Sequence, residues 1–144
     1  MNRVIKFRGK RIDNGEWIYG HYFISPLTDE NSGTSPDKGW FFLSDGVKRH
    51  CIERDGVVFV IDPETLSQST GLHDKSGKEI YEGDIVRSNP DGVIDRNCKV
   101  VFPFYLQVKN KLSGSYSFCS WNLSNKDEII GNIFENPELL EAAK

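Results

Sequence analysis

Cys98-Lys99-Val100-Val101-Phe102-Pro103-Phe104-Tyr105-Leu106-Gln107-Val108-Lys109 places an apolar side chain at every even position, while Lys99, Gln107 and Lys109 stand among the odd ones. A repeat of two is the repeat of a β-strand, so the spacing predicts one strand over 98–109 with a core face and a mostly wet face. Pro103 falls on the wet parity and has no N–H to give to a ladder, which places an edge or a bulge there. The same alternation recurs over 3–12 and over 16–25. In 16–25, Trp17, Tyr19 and Phe23 share one face and Ile18, Tyr22 and Ile24 the other. That predicts a central strand covered on both sides. Asp13-Asn14-Gly15 separates the two strands, and Asn-Gly predicts a type I′ hairpin.

Short strands follow at 40–44, 47–53 and 57–61, joined by Asp45-Gly46 and Asp55-Gly56. The stretch 63–78 reads as irregular. Further strands are expected over 79–87, 116–121 and 127–134, with turns at Asn89-Pro90-Asp91-Gly92 and over 111–115. Residues 26–39 hold almost nothing a core could use and are expected to be the most disordered stretch. At Asn136-Pro137-Glu138 a short helix begins, expected to reach Ala143: Asn to cap, Pro at the first position, Glu at the positive end of the dipole.

A length of 144 residues is that of one ordinary domain with a single core. Aromatics at 12% are too plentiful for a disordered chain, and a net charge of -3 is not that of a protein that wraps nucleic acid. No apolar run approaches the roughly 20 residues that span a bilayer, so no membrane partner is expected. Met1 to Arg8 alternates charge with apolar character and lacks the apolar segment of a secretion signal, which points to the cytoplasm. Cys51, Cys98 and Cys119 are odd in number and widely spaced, as reduced, buried thiols are.

Thr70-Gly71-Leu72-His73-Asp74-Lys75-Ser76-Gly77-Lys78-Glu79-Ile80-Tyr81-Glu82-Gly83-Asp84-Ile85-Val86 resembles the signature of the YopX family. Phe7-Arg8-Gly9-Lys10 with Gly15-Glu16-Trp17-Ile18-Tyr19-Gly20 resembles that family's start, and Ile130 to Leu140 its end. The resemblance implies a phage- or prophage-encoded, mostly β protein with a part like a small SH3-like barrel. It supplies no catalytic, metal-binding or cofactor-binding residues. The expected fold is therefore mostly β: a single domain with an antiparallel meander over 1–62, a small SH3-like barrel or roll over 63–135, and a short C-terminal helix over 136–144.

The residues themselves speak for binding over catalysis. His50 and Cys51 are adjacent and point to opposite faces of a strand; with no Cys-x-x-Cys or His-x-x-x-His spacing, no metal site is expected. His73, Asp74, Glu79, Glu82 and Asp84 crowd one region and could form an acid/base pair, yet each sits beside a turn, where carboxylates hold backbone amides. No nucleophile elbow, phosphate loop or dinucleotide fingerprint occurs. Arg3, Lys6, Arg8, Lys10 and Arg11 concentrate charge around Phe7, and Lys48, Arg49 and Arg54 form a second group. Aromatics such as Trp40, Tyr105 or Trp121 could stack bases beside them, which makes a nucleic-acid-binding module the second reading. The first reading is protein–protein binding, to an unknown host or phage protein or to a second copy in a homo-oligomer. Its basis is the density of Trp40-Phe41-Phe42 and of Phe102, Phe104 and Tyr105, which cannot all face one core.

Overall fold

The computed structural model describes residues 5–25, 49–103, 105–110 and 112–141. The expected strand 40–44, its Asp45-Gly46 turn, the 26–39 loop and Trp40-Phe41-Phe42 lie outside them, as do Arg3 and Lys48. The fold is mostly β, with two antiparallel sheets and a single 3-10 turn near the C-terminus among the described residues. The chain forms two compact units, Met1–Gln68 and Ser69–Lys144.

In the first unit, β1 (Phe7–Arg11), β2 (Trp17–Ser25), β3 (Arg49–Arg54) and the start of β4 (Val57–His73) pair in sequence. β1 also pairs with β4, so these strands come back on themselves as a partial ring. Ile18, Ile52 and Ile61 fill it, backed by Phe7, Tyr22, Phe59 and Leu66. β2 is central in pairing, as expected, but among its described side chains only Ile18 is buried. Tyr19 and Ile24 are exposed, and the side chains of Arg8 and Lys10 lie over the half-buried Trp17 ring.

Two turns of similar sequence fold differently. Asp55-Gly56, with φ of 52° and 80°, makes the two-residue turn joining β3 to β4. At Asn14-Gly15 only the glycine has positive φ. Asn14 Oδ1 accepts the Glu16 N–H at 2.9 Å, and Arg11 N–H donates to Glu16 C=O to close a longer loop. The Asn side chain thus makes an Asx turn in place of the expected type I′ geometry.

β4 continues far past residue 61, through most of the 63–78 stretch expected to be irregular. The register with β1 shifts between Arg8↔Ser67 and Lys10↔Asp62, a bulge in which the Lys10 N–H donates to Thr65 Oγ1 at 2.8 Å. Pro63 sits inside the bulge, where no ladder donor is required.

The second unit opens with the end of β4 pairing β5 (Glu79–Tyr81). Its main sheet runs in the order β10-β6-β7-β8-β9: β6 (Asp84–Ser88), β7 (Arg96–Val101), β8 (Tyr105–Lys109), β9 (Tyr116–Phe118) and β10 (Glu128–Asn132). The expected strand 98–109 is a hairpin. Val101 pairs Tyr105 across a reversal holding Pro103, so Cys98, Val100 and Leu106 stay buried while Phe102 is turned out. These three join Ile80, Val86 and Leu123 in a core separate from that of the first unit. Residues 79–87 are two strands parted at Glu82-Gly83. The C-terminal helix is shorter than expected, a 3-10 turn over Pro137–Leu140. Asn136 makes no side-chain cap there; its Oδ1 accepts the Asn132 N–H instead.

Candidate binding surface

Asp74 explains the family-like signature. Its side chain is buried; Oδ1 accepts from Ser76 N–H (3.0 Å), Ser76 Oγ (2.8 Å) and Lys78 N–H (2.9 Å), and Oδ2 accepts the Ile129 N–H (3.1 Å). Burial alone would raise its pKa; the Ser76 hydroxyl and the Lys78, Ile129 and Ser76 amides outweigh it and hold the carboxyl below its ordinary range. Asp84 Oδ2 accepts the Tyr81 N–H at 2.8 Å, and Glu79 accepts the Tyr81 hydroxyl at 2.7 Å. Gly83, at φ 84°, turns the chain between them, donating its N–H to Val100 and accepting that of Ile133. An L side chain at that φ would be strained, and a Cβ there would meet Phe134 at 3.1 Å. The signature is therefore a clamp joining β5, β6, β7 and β10. His73 is exposed on β4, paired with Glu79.

The basic first strand is divided. Lys6 is exposed ahead of β1. Arg8 is buried with its guanidinium 4.7 Å from the centre of the Trp17 ring, and Lys10 Nζ lies 5.5 Å from the same ring. Arg11 sits over Phe59 at 4.7 Å and grips Asp13 through two bonds, of 2.9 and 2.6 Å, which hold the Asp13 carboxyl below its usual range. The strand thus brings Arg8 and Lys10 together on Trp17 and sends Arg11 to a carboxylate. Among the described residues no group of His, Cys, Asp and Glu could hold a metal ion, and no helix is long and apolar enough to cross a membrane.

A polar cleft of about 700 Å³ lies beside β6 and the 121–128 segment. Its groups mostly satisfy one another: Lys75 reaches Glu128 at 2.9 Å, Asn89 binds Asp95, and Trp121 Nε1 donates to buried Ser88 Oγ at 2.9 Å. Trp121 is half-buried against the core, which uses much of the ring expected to be open for stacking.

A cluster of exposed aromatic side chains lies at the β8–β9 end of the sheet. Cross-strand pairs Lys99↔Gln107, Gln107↔Phe118 and Lys109↔Tyr116 put these side chains on one face, together with Tyr105. Tyr105, Tyr116 and Phe118 are 44%, 40% and 64% exposed. Tyr105 and Phe118 meet edge to face at 6.0 Å, and Lys99 Nζ caps the Tyr116 ring at 3.6 Å. β9 is an end strand of its sheet, pairing only β8 among the described residues. Tyr105 was among the aromatics singled out from the sequence. Tyr116 and Phe118 were not, although Tyr-Ser-Phe carries the same alternation on a stretch read as a strand.

A family model described as YopX protein matches residues 6–141, and the chain belongs to the YopX family. No curated protein sequence matches it. Among solved structures it is similar to the crystal structure of protein EF1440 from Enterococcus faecalis, at 23% identity and a TM-score of 0.44, covering 97% of this chain and 100% of that one.

Proposed function

We propose that this YopX-family chain is a phage or prophage accessory protein that works by binding another protein chain, in the cytoplasm, through the open β9 edge and its aromatic face. The observation behind this reading is the exposure of Tyr116 and Phe118 on an end strand. Folded proteins blunt such edges with charge, proline or a covering segment, because unpaired strand amides beside apolar side chains attract another chain. Strand addition supplies main-chain hydrogen bonds, and alternate side chains supply selectivity. By contrast, Asp74, Glu79 and Asp84 in the acidic 73–84 region are engaged with amides and a hydroxyl.

The test compares the native chain with a Tyr116→Lys, Phe118→Lys double variant as bait in lysate of the encoding cell, with equal melting temperatures as the control for folding. The native chain should retain a partner that the variant loses. Identical capture by both, or none by either, would refute the proposal. Nucleic-acid binding is the second reading, favoured by exposed Lys6 and by Lys10 beside Trp17. A low-salt shift with DNA and RNA that is abolished by Lys6→Glu and Lys10→Glu would put it first.

A further inference from the structure

We infer that β9 is a self-pairing strand: two copies of the chain join edge to edge, antiparallel, about a two-fold axis passing at Ser117. This rests on the reading of β9 as a binding edge and names its partner. The register between β8 and β9 fixes which amides are available. Asn110 N–H donates to Ser115 C=O at 2.7 Å, and Cys119 N–H donates to Leu106 C=O at 2.8 Å. Bonded and non-bonded pairs alternate in an antiparallel ladder. Val108↔Ser117 is therefore also a bonded pair, and Lys109↔Tyr116 and Gln107↔Phe118 are non-bonded. The N–H and C=O of Tyr116 and Phe118 thus point away from β8, toward the open side.

A second β9 run antiparallel and centred on Ser117 sets Tyr116 opposite Phe118 of the other copy, and Phe118 opposite its Tyr116. Every outward N–H then meets an outward C=O. A centre on Tyr116 or Phe118 instead pairs the strand partly with the loop beyond its end. Side chains agree with the same register. Across the seam the row reads Lys109, Tyr116, then Phe118 and Gln107 of the other copy, so aromatics face aromatics and the two Lys109 residues lie at opposite ends. Three partly exposed rings per copy supply on the order of 300 Å². A standard interface takes about 800 Å² per partner, so the predicted dimer is weak and dissociates on dilution.

Sedimentation velocity over a rising protein concentration should show a monomer passing to a dimer, and Phe118→Asp should weaken that dimer by about tenfold or more. Geometry is tested by Ser117→Cys. Its two copies would form a non-bonded pair with Cα atoms about 4.5 Å apart, within disulfide range. Mild oxidation should link the introduced thiols to each other, as read by peptide mapping, whereas Ser120→Cys should link far more slowly. A monomer at every concentration overturns the inference, as does a dimer indifferent to Phe118→Asp or equally linked from position 120. If the chain is monomeric while Tyr116→Lys, Phe118→Lys still abolishes capture of a different protein, the binding edge stands and its occupant is not a second copy.

Discussion

Removing the Asp74 carboxylate withdraws the acceptor for the amides of Ser76, Lys78 and Ile129 and for the Ser76 hydroxyl. A buried donor left without a partner costs roughly 1–3 kcal/mol, and one that water can reach costs less. Ser76 and Lys78 are exposed and Ile129 is half-buried, so the low end applies to the first two and the middle to the third. Asp74→Ala should therefore destabilise the protein by about 3–4 kcal/mol, a large share of the ~5–15 kcal/mol typical of a domain. Asp74→Asn keeps one carbonyl acceptor but sets an NH₂ group against one of those amides, for about 2 kcal/mol. The folded-state pKa of Asp74 lies below its unfolded value of about 3.9. Its contribution is thus complete above that value and is lost as pH falls through the folded pKa. Urea titrations followed by far-UV circular dichroism at about pH 7 and about pH 3 measure both effects. The gap between native protein and Asp74→Asn should shrink at the acid end. A loss below about 1 kcal/mol for Asp74→Ala at neutral pH, or a gap unchanged by acid, would refute the clamp.

Gly131→Ala places a Cβ 2.7 Å from Asn136 Oδ1 and 2.8 Å from Leu139 Cδ1, and should cost about 1–3 kcal/mol in thermal melts. Trp121→Phe removes the donor to buried Ser88 Oγ and should cost about 1 kcal/mol, measured by urea unfolding. Burial is the main cause raising the Cys98 thiol above its ordinary pKa, with Cys119 Sγ 4.0 Å away adding to it. A disulfide reagent near neutral pH should modify Cys98 only when denaturant is added, and prompt reaction in the folded protein would contradict its burial.

What the sequence made legible was what is settled within a few residues. Strand alternation placed Cys98, Val100 and Leu106 in the core, and Asp55-Gly56 made its turn because both residues take positive φ. Asn14-Gly15 shows the limit: the same dipeptide type yields another turn once the Asn side chain captures the Glu16 amide. The Asp74 turn could be read locally, but its fourth hydrogen bond goes to Ile129, 55 residues away. β4 ran past Pro63 because a bulge opposite β1 needs no donor there, a fact of pairing rather than of composition. The basic strand misleads for a similar reason. Charge alternation is equally consistent with a wet face, and only the cross-strand neighbour reveals that Arg8 is buried with its guanidinium on Trp17. At the aromatic surface, Tyr116 and Phe118 gain meaning from being at a sheet's end, which no single strand announces.

Amide exchange resolved by residue, on dilute protein, asks whether the β9 edge is open. Ser117 and Cys119, whose N–H groups face β8, should be protected, while Tyr116 and Phe118 should exchange near the rate of an unstructured chain. Slow exchange at Tyr116 and Phe118 at every concentration would mean that the edge is already covered by the chain itself, and would contradict the account.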